Sequence, residues 1–99
     1  MDFDWHNTPF ALGGELTTQD VEESFEDPFV VRLLPDSARF AGQARYFSLG
    51  RSCRGAGVFS VYRTNGKQVR VIFAREFLQE EMFFYKRRMT QLLDHKDSL

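Results

Sequence analysis

An α+β domain is the fold class this sequence predicts: a small antiparallel sheet of about four strands, with one helix before it and one after. Three stretches predict it. "TTQDVEESFEDP" has the make-up of a capped helix, "GVFSVYRTNGKQVRVIFAR" reads as a hairpin turning at Asn65-Gly66, and residues 77–93 repeat apolar side chains at helical spacing.

In the first helix Thr17 is the cap, with Asp20 three residues on, so that each side chain can satisfy the other's backbone N–H. Val21 and Phe25 share a face, the early acids suit the positive helix N-terminus, and Pro28 ends the element. "FVVRLL" lies between Pro28 and Pro35 and is β-branched, which predicts a strand; "ARYFSLG", closed by Gly50, predicts the next. With Asn65-Gly66 as a two-residue tip, Thr64 pairs with Lys67. Phe59, Val61, Arg70, Ile72 and Ala74 then share one face, and Val58, Ser60, Tyr62, Val69, Val71, Phe73 and Arg75 the other. Arg70 and Arg75 therefore point opposite ways unless a bulge intervenes. Both faces are largely apolar, so the hairpin is expected to be central and covered on both sides. The last helix carries Leu78, Met82, Tyr85, Met89 and Leu92 as a stripe, with Lys86, Arg87 and Arg88 toward its negative end.

Ninety-nine residues, 42% hydrophobic and 27% charged, suit one domain over residues 1–94 with 95–99 as a tail. No run approaches the roughly 18 apolar residues of a membrane span. Asp2 and Asp4 stand where a secretory signal would be basic, so a cytoplasmic chain with no membrane partner is expected. The single Cys53, with only His6 and His95 beside it, makes neither an internal disulfide nor a zinc-type ligand set, and no metal site is expected. Cys53 between Arg51 and Arg54 is either an activated thiol or an incidental loop residue. His6 is either an imidazole for the site or an N-terminal surface residue.

Charge is segregated. Residues 1–27 hold eight acids and no Lys or Arg, whereas residues 28–75 hold nine bases against Asp36 alone. That distribution predicts a cationic face for an anionic partner, or else an acidic helix that neutralises a basic sheet edge.

There is no Gly-rich phosphate loop, HExxH pair or nucleophile elbow. What remains is arginines on strands, with Glu81 and Tyr85 on the last helix. Metal-free RNA cleavage needs a base for the 2′-hydroxyl, cations for the phosphorane and an acid for the 5′-oxygen, and the planar fork of arginine suits the second need. The same side chains are also ordinary solvated surface in many domains.

"FDW" near the start, "FEDP" closing the first helix, "RYFSLGRS" with the later Gly55, and "RVIFAR" followed by Glu81 and Tyr85 together form a pattern. On that pattern the segment from Phe25 to Tyr85 resembles the BrnT family of type II toxins, small ribonucleases with a RelE-like fold that a co-expressed antitoxin holds inactive. The resemblance implies that Arg70 and Arg75 bind the scissile phosphate, Glu81 acts as base or orients an arginine, Tyr85 positions RNA or a base, and Arg45 and Arg51 bind flanking phosphates. It implies no metal or organic cofactor. The partners it implies are RNA and a small, DNA-binding antitoxin, as a dimer or a hetero-oligomer with that antitoxin. The chain departs from the family where "ALGGELTTQDV" lacks a Lys-His-Gly step and where Phe73 replaces a common serine. A second expectation therefore stands beside the first, a degenerate module that holds a partner protein without cleaving RNA, and a third is a plain RNA-binding protein.

Overall fold

The computed structural model describes residues 2–5, 11–33 and 45–97. His6 and Arg39 lie outside the described residues. The elements are β1 (Asp2–Phe3), β2 (Ala11–Leu12), α1 (Thr18–Glu26), β3 (Val31–Leu33), β4 (Tyr46–Arg51), β5 (Gly57–Thr64), β6 (Gln68–Glu76) and α2 (Gln79–Asp97). The α+β class and both helices are as expected, and α2 runs on into the segment expected to be a tail.

The sheet has the order β1-β6-β5-β4-β3, and β2 pairs further along β6. The meander from β3 to β6 is antiparallel. The expectation of an antiparallel sheet is corrected at one edge, because β1 and β2 both join β6 in parallel. Two-residue segments carry no periodicity that a sequence reading can use. Here they cover the outer edge of the nine-residue β6, which would otherwise present a row of unpaired backbone groups.

The hairpin register differs from the expected one in two places. Asn65 Oδ1 accepts hydrogen bonds from the N–H of Lys67 (2.9 Å) and of Gln68 (2.9 Å), so an Asx turn forms and the ladder closes on Thr64↔Val69 instead of Thr64↔Lys67. Farther along, Tyr62 pairs with Val71 but Val61 pairs with Phe73, which leaves Ile72 as the extra residue of a β-bulge. Beyond the bulge every side chain of β6 changes face. Ala74 turns to the α1 side opposite Ser60, and Arg75 turns to the far side opposite Phe59. Arg70 and Arg75 consequently share a face.

The core lies between α1 and the sheet, with Leu16, Val21, Phe25, Val58, Tyr62, Val69, Val71 and Ala74 buried together. Each large side chain of this set contributes on the order of 1.5–3 kcal/mol by leaving water. Phe25 meets Tyr62 edge-on at 5.0 Å between centroids, and Tyr62 stacks on Tyr46 at 5.6 Å. α1 is capped as expected, Thr17 and Asp20 exchanging hydrogen bonds. It sits so close to β4 that a Cβ on Gly50 would fall 2.1 Å from the Ser24 carbonyl oxygen. The far face of the sheet is less covered. Leu49 is buried there, while Phe47, Phe59, Val61 and Phe73 are half-buried. α2 meets it mainly through Tyr85; of the rest of its expected apolar stripe Met82 and Met89 are half-buried, whereas Leu78 (53%) and Leu92 (41%) are exposed.

Candidate functional site

The far face ends in a cluster built where β6 hands over to α2. Arg75 leaves the sheet opposite Phe59 and lies over its ring, the guanidinium carbon 4.4 Å from the centroid. Its Nη1 and Nη2 donate to Glu81 Oε1 and Oε2 at 2.7 and 2.8 Å, a bidentate fork. Glu81 is the third residue of α2, and its Oε1 also accepts from the Leu78 N–H at 2.7 Å, so the same carboxylate caps the helix and holds the arginine. Burial would raise the pKa of Glu81, but the Arg75 hydrogen bond, the Leu78 N–H and the arginine charge outweigh it, and the net shift is downward. Glu81 is therefore held ionised. Three of its roughly four acceptor positions are taken by groups of this protein, which leaves one on Oε2 open.

Arg51, at the end of β4, lies on the same face. Its guanidinium carbon is 5.5 Å from the centroid of Tyr85, and Nη2 approaches the Met82 sulfur at 3.6 Å. The Arg51 Nε is enclosed and has no acceptor among the described residues. Two strand spacings and two residues separate Arg51 from Arg75, about 12 Å between Cα atoms. The first two turns of α2 cross from one arginine to the other.

Tyr85 is 1% exposed, and its hydroxyl donates to Asp27 Oδ2. Burial and the Asp27 bond both raise its pKa, so it stays neutral. Asp27 was not among the residues singled out by sequence. Its Oδ2 also accepts from the Arg51 N–H at 2.8 Å, and its Oδ1 from the Phe29 N–H at 2.9 Å. The Asp-Pro step of "FEDP" is the sequence signal for such a side-chain-capped turn.

Arg75, Glu81, Tyr85 and Arg51 are thus brought together. Arg70 and Arg45 are not. Arg70 stands five residues from Arg75, roughly 16 Å along β6, and its Nη2 pairs with Asp4 Oδ2 at 3.1 Å. Arg45 is exposed and immediately precedes β4 at that same distant end.

Compared with protein-family models, curated proteins and solved structures, the chain matches none. The site is therefore read on its own geometry. Among the described residues no three His, Cys, Asp or Glu side chains gather as metal ligands. No helix among them is long and apolar enough to cross a membrane.

The α1 side is chemically different. Arg54 is bound there by Asp20 at 2.8 Å, and Arg32 donates to the Phe25 carbonyl at 3.2 Å. The acidic helix thus neutralises Arg54 and leaves the far-face arginines alone. Cys53 is exposed, and a hydrogen bond with Glu23 raises its pKa, the opposite of what an activated thiol needs.

Proposed function

We propose that the chain is a ribonuclease toxin of a type II toxin-antitoxin pair, cleaving RNA without a metal and neutralised by a cognate antitoxin. The observation that carries this reading is that the bulge at Ile72 turns Arg75 onto the face of Arg51, with Glu81 locking the Arg75 fork. The reaction would be attack of the 2′-oxygen on phosphorus with breakage of the P–O5′ bond, giving a 2′,3′-cyclic phosphate and a 5′-hydroxyl. Solvent water would take the 2′-hydroxyl proton and return one to the 5′-oxygen, because Glu81 and Tyr85 are both committed to partners within the chain. Arg51, and the N–H donors of Arg75 that Glu81 does not occupy, would meet the charge that develops on the phosphorane, the largest single need of such a step. Glu81, held ionised in its pair with Arg75, orients that arginine instead of taking a proton. Tyr85 props Arg51 from below without touching RNA.

The commitment of Glu81 and Tyr85 to partners within the chain also favours a second reading, a module that binds a partner protein and does not cleave. Phe83 at 59% and Phe84 at 40% exposure, adjacent on α2, give it an apolar surface suited to such a partner. One experiment separates the two. Purified chain is incubated with end-labelled RNA in EDTA, beside Arg75→Ala and Arg51→Ala variants whose folding is checked by circular dichroism. Cleavage to cyclic-phosphate ends that both variants lose supports the ribonuclease. Intact RNA with the wild-type chain removes that reading and leaves the module.

A further inference from the structure

The hairpin end of the far face holds an arrangement that the site above does not use. Arg63 pairs directly with Arg70 across β5 and β6. Continuing the β4–β5 register one step past Tyr46↔Tyr62 sets Arg45 opposite Arg63. Three arginines thus form a transverse row, with neighbouring Cα atoms about 5 Å apart. Like charges placed directly opposite in a sheet are destabilising, so the row is not explained by stability. Asp4, one strand further out, pairs with Arg70. Among the described residues neither Arg63 nor Arg45 has an acceptor. Thr64, Asn65 and Gln68 complete an open cleft of about 340 Å³ around Arg63, Arg70 and Asp4.

Between this row and Arg75 lies the half-buried Phe47, stacked at 5.9 Å between centroids on Phe59, the ring that Arg75 itself covers. Cations flanking an aromatic platform are what single-stranded nucleic acid needs, the charges for its backbone and the rings for its bases. We propose that single-stranded RNA enters over the hairpin end of the sheet, its phosphates held by Arg63 and Arg45 with help from Arg70, and its bases laid toward Phe47 on the way to Arg75. Arg70 contributes least, because RNA must displace Asp4 from it. The inference rests on the RNA reading of the Arg75 site and adds a separate contact region, with Arg63 at its centre.

The test is the salt dependence of binding to a fluorescein-labelled twelve-residue oligouridylate, read by anisotropy, with every protein carrying Arg75→Ala so that nothing is cut. Each phosphate contact adds roughly 0.7 to the slope of log affinity against log salt. Arg63→Ala should lower that slope by about 0.7, and Arg63→Ala with Arg45→Ala by about 1.4. Melting temperatures should not fall, because an opposed like charge has been removed. An unchanged slope in Arg63→Ala overturns the proposal. So does binding of poly-glutamate in place of the oligouridylate, which would make the row a protein-facing surface. Arg63-dependent RNA binding by a chain that never cleaves would sustain this inference and sink the ribonuclease. Cleavage that is indifferent to Arg63 would do the reverse.

Discussion

At the scale of single residues, the Asp20 carboxylate does three things at once. It takes the Arg54 fork, accepts from the Thr17 N–H at 3.0 Å, and receives the Thr17 hydroxyl at 3.2 Å. The Arg54 hydrogen bond is the main reason its pKa falls well below the usual carboxylate range, against a burial that would raise it. A depressed pKa in the folded state means stabilisation that is complete above the unfolded pKa, near 3.8, and lost as pH falls through the lower folded value. The melting temperature should therefore drop as pH is lowered from 5 to below 3 (roughly the window of the two pKa values), and Asp20→Asn should flatten that drop while lowering stability at neutral pH. Equal acid sensitivity of the two proteins would show that Asp20 is not the group concerned. The Thr17–Asp20 half of this arrangement was legible in the sequence as a cap. The Arg54 half was not, because it joins residues that are neighbours only after β4 has packed on α1.

Among the elements, legibility followed periodicity. Both helices and the four strands from β3 to β6 announce themselves by spacing, by caps, or by Pro and Gly at their ends. β1 and β2 do not, and neither does the bulge, since nothing in "VIFA" marks Ile72 as the residue left out of the ladder. The missed bulge is what placed Arg75 on the wrong face in the sequence reading. Close approach of elements is likewise invisible in a sequence, and Gly50 is the case here. A Cβ there would meet backbone, 2.1 Å from the Ser24 oxygen and 2.9 Å from its carbon, so α1 would have to lift from the sheet. Gly55 has φ +89° and open space around it, so an alanine there meets only backbone strain. Gly50→Ala should cost about 3 kcal/mol or more, and Gly55→Ala about 1 kcal/mol. Urea unfolding of the two variants checks the order, and equal losses would mean that α1 does not depend on that contact.

Across the whole molecule the two faces of the sheet are held by different forces, and their coupling can be tested. The α1 face is a packed aromatic and aliphatic core. On the far face, α2 is tied to the rest by the Tyr85–Asp27 hydrogen bond and the Arg75–Glu81 pair, while Leu78, Phe83, Phe84, Leu92 and Leu93 face solvent. Hydrogen bonds to a charged group are worth roughly 1.5–3 kcal/mol each, and a partly exposed ion pair nearer 1. Removing both ties should therefore release α2 before the core yields, since opening free energies differ across a fold according to what each element buries. The single tryptophan reports on the other side: Trp5 stacks on Phe3 at 5.8 Å and donates to Glu22 on α1 at 3.1 Å. In a Tyr85→Phe, Glu81→Ala double variant, helical circular dichroism should be lost at lower urea than Trp5 fluorescence, whereas the wild-type signals change together. If the two transitions still coincide in the double variant, α2 and the core form one cooperative unit, and the ties described here are not what docks the helix.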